Sequence, residues 1–143
     1  MGFKWKQNGN LRFYHWRDVS RFGRPAYHLS ADVPMCDSLT ELVTLLADNP
    51  TPRGQSVMCS ASLCKIRDFH RGAKPTQIQV FDSARFQHNP LLDADIEVQP
   101  GSISFSTRGL TKFQIALDDM RKGNGDWAMC GHDKQQLWFW WWT

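Results

Sequence analysis

Ile96-Glu97-Val98-Gln99-Pro100-Gly101-Ser102-Ile103-Ser104-Phe105 is the stretch that decides the fold class. Ile96 and Val98 alternate with polar neighbours, and so do Ile103 and Phe105. That is the period of a strand with one buried face. Pro100 presets φ for a turn and Gly101 accepts the positive φ that a tight turn can require. Two adjacent antiparallel strands are predicted. A helix should follow from about Gly109 to Arg121, with Leu110, Phe113, Ala116, Leu117 and Met120 on one face. Arg121 and Lys122 suit the negative end of that helix, and Gly123 suits the left-handed position after it.

Upstream, Val57, Cys59, Ala61 and Leu63 alternate with small polar residues, and Ile78 and Val80 sit between glutamines. Both patterns predict strands. The stretch Asp82 to Asp93 has no period and reads as a loop. Earlier still, Tyr27, Leu29, Ala31 and Val33 alternate with His28, Ser30 and Asp32, which predicts a half-buried strand. Ser38-Leu39-Thr40-Glu41 fits a capping box, so a first helix is expected to begin at Ser38. Its apolar face is Leu39, Leu42, Val43 and Leu46, and Asn49-Pro50-Thr51-Pro52 stops it. Downstream, Trp127 to Cys130 and Leu137 to Trp142 read as strands around a Gly131 to Gln136 loop.

Strands therefore cluster between two helices and do not alternate with them. The expected fold is a single α+β domain over residues 1–143, two-layered, with a mostly antiparallel or mixed sheet and two helices on one face. A chain of 143 residues is one domain of common size and needs no disulfide or metal to fold. No apolar run approaches the roughly 18 residues that span a bilayer, and Met1 to Asn10 lacks the apolar core of a secretory signal. Cys36, Cys59, Cys64 and Cys130 are too scattered for a disulfide scaffold and read as reduced thiols. A cytoplasmic protein without a cofactor or membrane attachment is expected. The chain shows no internal repeat and no low-complexity tract.

Two segments stand out. The ending Leu137-Trp138-Phe139-Trp140-Trp141-Trp142 would point Trp138, Trp140 and Trp142 one way in a strand, and Phe139 and Trp141 the other. One set meets the helices. The other is either covered within the monomer or offers an aromatic face to a protein partner, a second copy as in a homodimer, or a stacking ligand. The second segment is the N-terminus. Lys4, Lys6, Arg12, Arg17, Arg21 and Arg24 against Asp18 give residues 1–25 a charge of +5, so a net charge of +3 leaves about −2 elsewhere. Cations interleaved with rings, including Arg12, Trp16, Arg17 and Arg21, suit nucleic-acid binding. The same composition suits an edge strand guarded by charge.

Other signals are weaker. Cys59, Cys64 and His70 with Cys130 and His132 have the residue types of a zinc site, and Cys59 and Cys64 have four residues between them, but Cys59 lies on the apolar phase of its strand and Cys130-Gly131-His132 is not a standard ligand pair, so no metal is expected. Asp118, Asp119 and Asp126 beside His132-Asp133 place acids near a base without a spacing that demands catalysis. No phosphate loop, dinucleotide fingerprint or Gly-x-Ser-x-Gly motif occurs. No catalytic residue is assigned.

The C-terminal third, Ile103 to Trp142, resembles the ending of small uncharacterised bacterial proteins. In these a strand and an amphipathic helix lead to a Gly-Asp-aromatic step and a final Leu-Trp-Phe-Trp-Trp strand. Gly125-Asp126-Trp127 and Leu137-Trp138-Phe139-Trp140-Trp141 carry the likeness. It brings no activity and no catalytic residues. In general style it implies a bacterial accessory or immunity-like protein that acts by binding another protein.

Overall fold

A computed structural model describes residues 5–16, 26–48, 55–62, 78–124, 127–132 and 135–141. In chain order the elements are β1 (Leu11–Trp16), β2 (Ala26–Ala31), α1 (Val33–Asp48), β3 (Gln55–Ser60), β4 (Ile78–Phe81) and β5 (Ser83–His88). Then come β6 (Ile96–Gln99), β7 (Ser102–Phe105), α2 (Thr107–Arg121), β8 (Trp127–Cys130) and β9 (Gln136–Trp141). The strands form a five-stranded sheet, β4-β1-β2-β9-β8, and a four-stranded sheet, β3-β5-β7-β6. Each is mixed: β2 runs parallel to β9 and β5 parallel to β7, while the other pairs are antiparallel.

The two helices pack on each other, and each also packs on both sheets, α1 chiefly on β2 and β5, α2 chiefly on β9 and β7. The α+β class follows, with the helix pair lying on one face of each sheet. One continuous core fills the space between them. Leu29 of β2, Leu39 of α1, Phe86 of β5 and Phe113 of α2 are all but fully buried in it. Phe113 lies 4.6 Å from Phe105 and 5.8 Å from Phe139 between ring centroids, so α2 ties both sheets together through aromatic contact.

The Pro100-Gly101 hairpin forms as expected, pairing Ile96 with Phe105 and Val98 with Ile103 around Gly101 at φ +79°. The second helix starts at Thr107, two residues before the expected start, because Ser106 caps it by accepting the Gly109 N–H at 2.9 Å. It ends at Arg121, with Gly123 at φ +81°.

Four expectations are corrected. The first helix begins at Val33, not at Ser38. Asp32 is its cap: its carboxylate accepts the Met35 N–H at 3.0 Å and its carbonyl the Cys36 N–H at 2.8 Å. Ser38 lies buried inside the helix, where its hydroxyl accepts from the Asn8 N–H at 2.9 Å and donates to the Asn8 carbonyl. The supposed loop Asp82 to Asp93 contains β5. Its inward positions are Ala84, Phe86 and His88, and a buried histidine in that phase hid the alternation. Strand β1 is not an edge, because β4 and β2 flank it. Strand β2 is buried at all six positions, so its polar phase is covered as well as its apolar one.

His88 explains its own burial. Its Nδ1 donates to the Leu46 carbonyl at 3.0 Å, an orphan acceptor in the last turn of α1. A carbonyl only accepts, so Nδ1 carries the proton, and in the neutral ring Nε2 accepts from the Thr107 hydroxyl at 3.0 Å. One ring thus joins the end of α1 to the start of α2.

The sheets meet at two seams. On one side Asp82 alone separates β4 from β5, so a nearly continuous strand passes from one sheet to the other. On the other, Gly131 after β8 bridges Ile96 of β6. No helix among the described residues is long and apolar enough to cross a membrane.

Candidate binding face

Alternation along β9 sorts its side chains. Leu137 and Phe139 are buried against the helix side, and Phe139 meets Phe113 of α2. Trp138 therefore lies on the opposite, outer face of the five-stranded sheet, where it is half-buried. Its indole Nε1 donates to Gln136 Oε1 at 3.2 Å.

Strand register places the rest of that face. Trp138 pairs with His28, His28 with Tyr14, and Tyr14 with Val80, which makes one row across the sheet. Tyr14 and His28 stack with centroids 4.8 Å apart and planes 5° from parallel. Both are buried, at 2% and 3% exposure. The neighbouring row runs Arg12, Ser30, Trp140. Arg12 is half-buried and Ser30 buried. Positions 12 and 140 are two strands apart, about 10 Å at ordinary strand spacing.

Arg12 and Trp138, one from each of the two sets singled out in the sequence, thus share one face of one sheet. For Trp16 and Trp140 the description is of the backbone alone: Trp16 pairs with Ala26 and Ile78, and Trp140 with Ser30. Trp142, Arg17 and Arg21 lie outside the described residues. Tyr14 and His28 were not singled out in the sequence. The signal for them was the polar phase of β2 read together with β1, which becomes a common face only once the two strands pair.

The remaining candidates have structural explanations. Burial pushes the Cys59 thiol up to about 12 and the Cys36 thiol up to about 11, so neither is a nucleophile near neutrality. Cys130 is exposed, and Cys64 and His70 lie outside the described residues. Among the described residues no three His, Cys, Asp or Glu side chains gather as a metal-ion site. His132 pairs with Asp93, across the seam between the sheets, and both are exposed. The His132 hydrogen bond and charge hold the Asp93 carboxyl below its usual range. Asp118 pairs with Arg121 one turn on, and Asp126 lies outside the described residues.

No known protein-family model, curated protein or solved structure matches the chain.

Proposed function

We propose that the chain is a non-enzymatic binding protein of bacterial accessory or immunity-like type, and that it contacts its partner with the outer face of the five-stranded sheet. The observation that supports this is the contrast between the outer faces of the two sheets. On the four-stranded sheet the outward residues are Ser56, Met58, Ser60, Ser83, Arg85, Gln87, Glu97, Gln99, Ser102 and Ser104, a polar and charged surface except for the exposed Met58. On the five-stranded sheet they include Tyr14, His28 and Trp138, with Trp138 partly open to solvent. Tyr14 and His28 are buried, so Trp138 is the one of the three that is open to a partner, and a partly exposed tryptophan is a common anchor of a protein-binding hot spot. A protein partner or a second copy of the chain fits it.

Sedimentation of the wild type and of Trp138→Ser at micromolar concentration tests the reading for a second copy. Assembly that weakens while the variant stays folded supports it. A monomeric wild type whose variant unfolds would make Trp138 a core residue and remove the main support.

A second reading is kept because Arg12 shares this face. A cation beside stacking aromatics suits a single-stranded nucleic acid. Binding to an oligonucleotide should then fall steeply with salt, and Arg12→Gln should flatten the salt slope. Salt-insensitive or absent binding leaves the protein-partner reading alone.

A further inference from the structure

The two sheets repeat one pattern. In the five-stranded sheet, hairpin β1-β2 is followed by a parallel neighbour, β9, and then an antiparallel one, β8. In the four-stranded sheet, hairpin β6-β7 is followed by a parallel neighbour, β5, and then an antiparallel one, β3. Each hairpin runs straight into a helix through a one-residue cap, Asp32 after β2 and Ser106 after β7.

The registers agree residue by residue. Leu11 pairs with Ala31 and Phe13 with Leu29, as Ile96 pairs with Phe105 and Val98 with Ile103. Leu29 in turn pairs with Phe139, as Ile103 pairs with Phe86. Leu137 then pairs with Met129, as Ala84 pairs with Cys59. The helices match too. Met35, Cys36, Leu39, Leu42, Val43 and Leu46 are buried on α1, and Gly109, Leu110, Phe113, Ala116, Leu117 and Met120 on α2. Counted from the caps, the two sets occupy the same positions, and Ser38 is the one extra buried residue of α1.

Even the connections correspond. After β3 the chain turns back so that the Ser62 N–H reaches the Leu11 carbonyl, and after β8 it turns back so that Gly131 bridges Ile96, the counterpart of Leu11. The first connection then lays β4 along β1, and the second lays the Gln135 amide along β6.

We infer that the chain is two β-β-α-β-β units, residues 11–88 and 96–141, that have exchanged the strand pairs β3-β5 and β8-β9, with β4 an extra strand of the first unit that stays in that unit's own sheet. Each unit supplies a hairpin and a helix to its own sheet and completes the other unit's sheet with its exchanged pair. Side-chain volumes hide the repeat in the sequence: Ala31 stands where Phe105 stands, and Leu42 where Ala116 stands. The two outer faces are then equivalent surfaces that have diverged, with Tyr14 at the place of Gln99, His28 of Ser102 and Trp138 of Arg85. The inference stands on topology and does not depend on the proposed binding role.

Exchange of strands makes each unit the partner that the other requires, so the two should open together. Native-state hydrogen exchange on the full-length chain, with denaturant raised in steps, reads this through Leu29, Phe86, Ile103 and Phe139. Their opening constants should converge to within about threefold, whereas a persistent gap above about tenfold between the two units would overturn the inference. A second measurement uses a protease site inserted between Leu91 and Leu92 and cut in the folded protein. The two pieces should stay together at the native mass, and after separation in denaturant they should refold only when mixed. Either piece refolding by itself would show independent units and sink the proposal.

Discussion

The side-chain amide of Gln135 accepts from the Val98 N–H at 3.1 Å and donates to the Val98 carbonyl at 2.6 Å. A single side chain thereby imitates the peptide unit of a missing strand on the edge of the four-stranded sheet. The opposite edge is treated alike: the Gln7 amide accepts from the Ser60 N–H and donates to the Ser60 carbonyl, both at 2.8 Å. Unpaired edge groups invite association with other chains, and both edges of this sheet are closed at these points.

Gln135→Leu should lower stability by about 1–3 kcal/mol, because Val98 then keeps a partly buried N–H and carbonyl without partners. Urea denaturation checks this. A midpoint unchanged within error would mean that water satisfies Val98 equally well.

Asp32→Ala should cost about 1 kcal/mol or somewhat more, since it removes the α1 cap. The same carboxylate also accepts from the Asn10 N–H at 3.0 Å and the Asn10 amide at 2.9 Å. Ser38→Ala acts differently, by freeing the Asn8 backbone groups and leaving the helix start intact. Circular dichroism under denaturant distinguishes the two: helix signal should fray earlier in the Asp32 variant alone.

Phe139→Ala should destabilise the fold by about 3–5 kcal/mol through a cavity against Phe113. Trp138→Ser, on the other face, should cost clearly less. Equal losses in thermal melts would show that both faces of β9 are core.

Asp95 gives an acid-dependent prediction. Burial alone would raise its carboxyl, but hydrogen bonds and charges from Lys112 and Arg108 outweigh burial and hold it below the ordinary carboxylate value. A folded pKa below the unfolded one contributes stability above the unfolded value, and that contribution is lost as pH falls through the folded one. Both cations are well exposed, so the effect is about 1 kcal/mol after screening. Asp95→Asn should therefore be less stable than wild type at pH 7, with the gap closing below about pH 4. A gap that persists into acid would assign the loss to packing.

Gly131→Ala should open the seam. A Cβ there would stand 2.6 Å from the Ile96 carbonyl oxygen, and backbone cannot swing aside as a flexible side chain can. Loss of the slow exchange of β6 amides, with β2 amides unaffected, would locate the damage.

Local signals determined a good part of this protein. The Pro100-Gly101 turn, the apolar face from Leu110 to Met120 and the alternation of Leu137 and Phe139 each depend on a few neighbouring residues, and each appears as read. The start of α1 did not, because the capping pattern at Ser38 competes with Asp32, and packing against Asn8 decided between them. Strand β5 leaves no alternation in the sequence because His88 is polar and yet buried in place, held by Leu46 and Thr107, which are distant along the chain.

Sequence alone set the aromatic ending and the basic start apart as segments. Only the tertiary structure put Arg12, Ser30 and the position of Trp140 in one row, and Tyr14, His28 and Trp138 in the next. The physical reason is range. Alternation and caps act between residues a few places apart and leave a signature in order and spacing. Partnership between strands that are not neighbours in sequence, as of Leu29 in β2 with Phe139 in β9 more than a hundred places on, leaves no such signature, and nothing in the order of residues states which strand will lie beside which. The exchange of β8-β9 and β3-β5 between sheets is of that second kind, fixed only when two hairpins and two helices close on a common core.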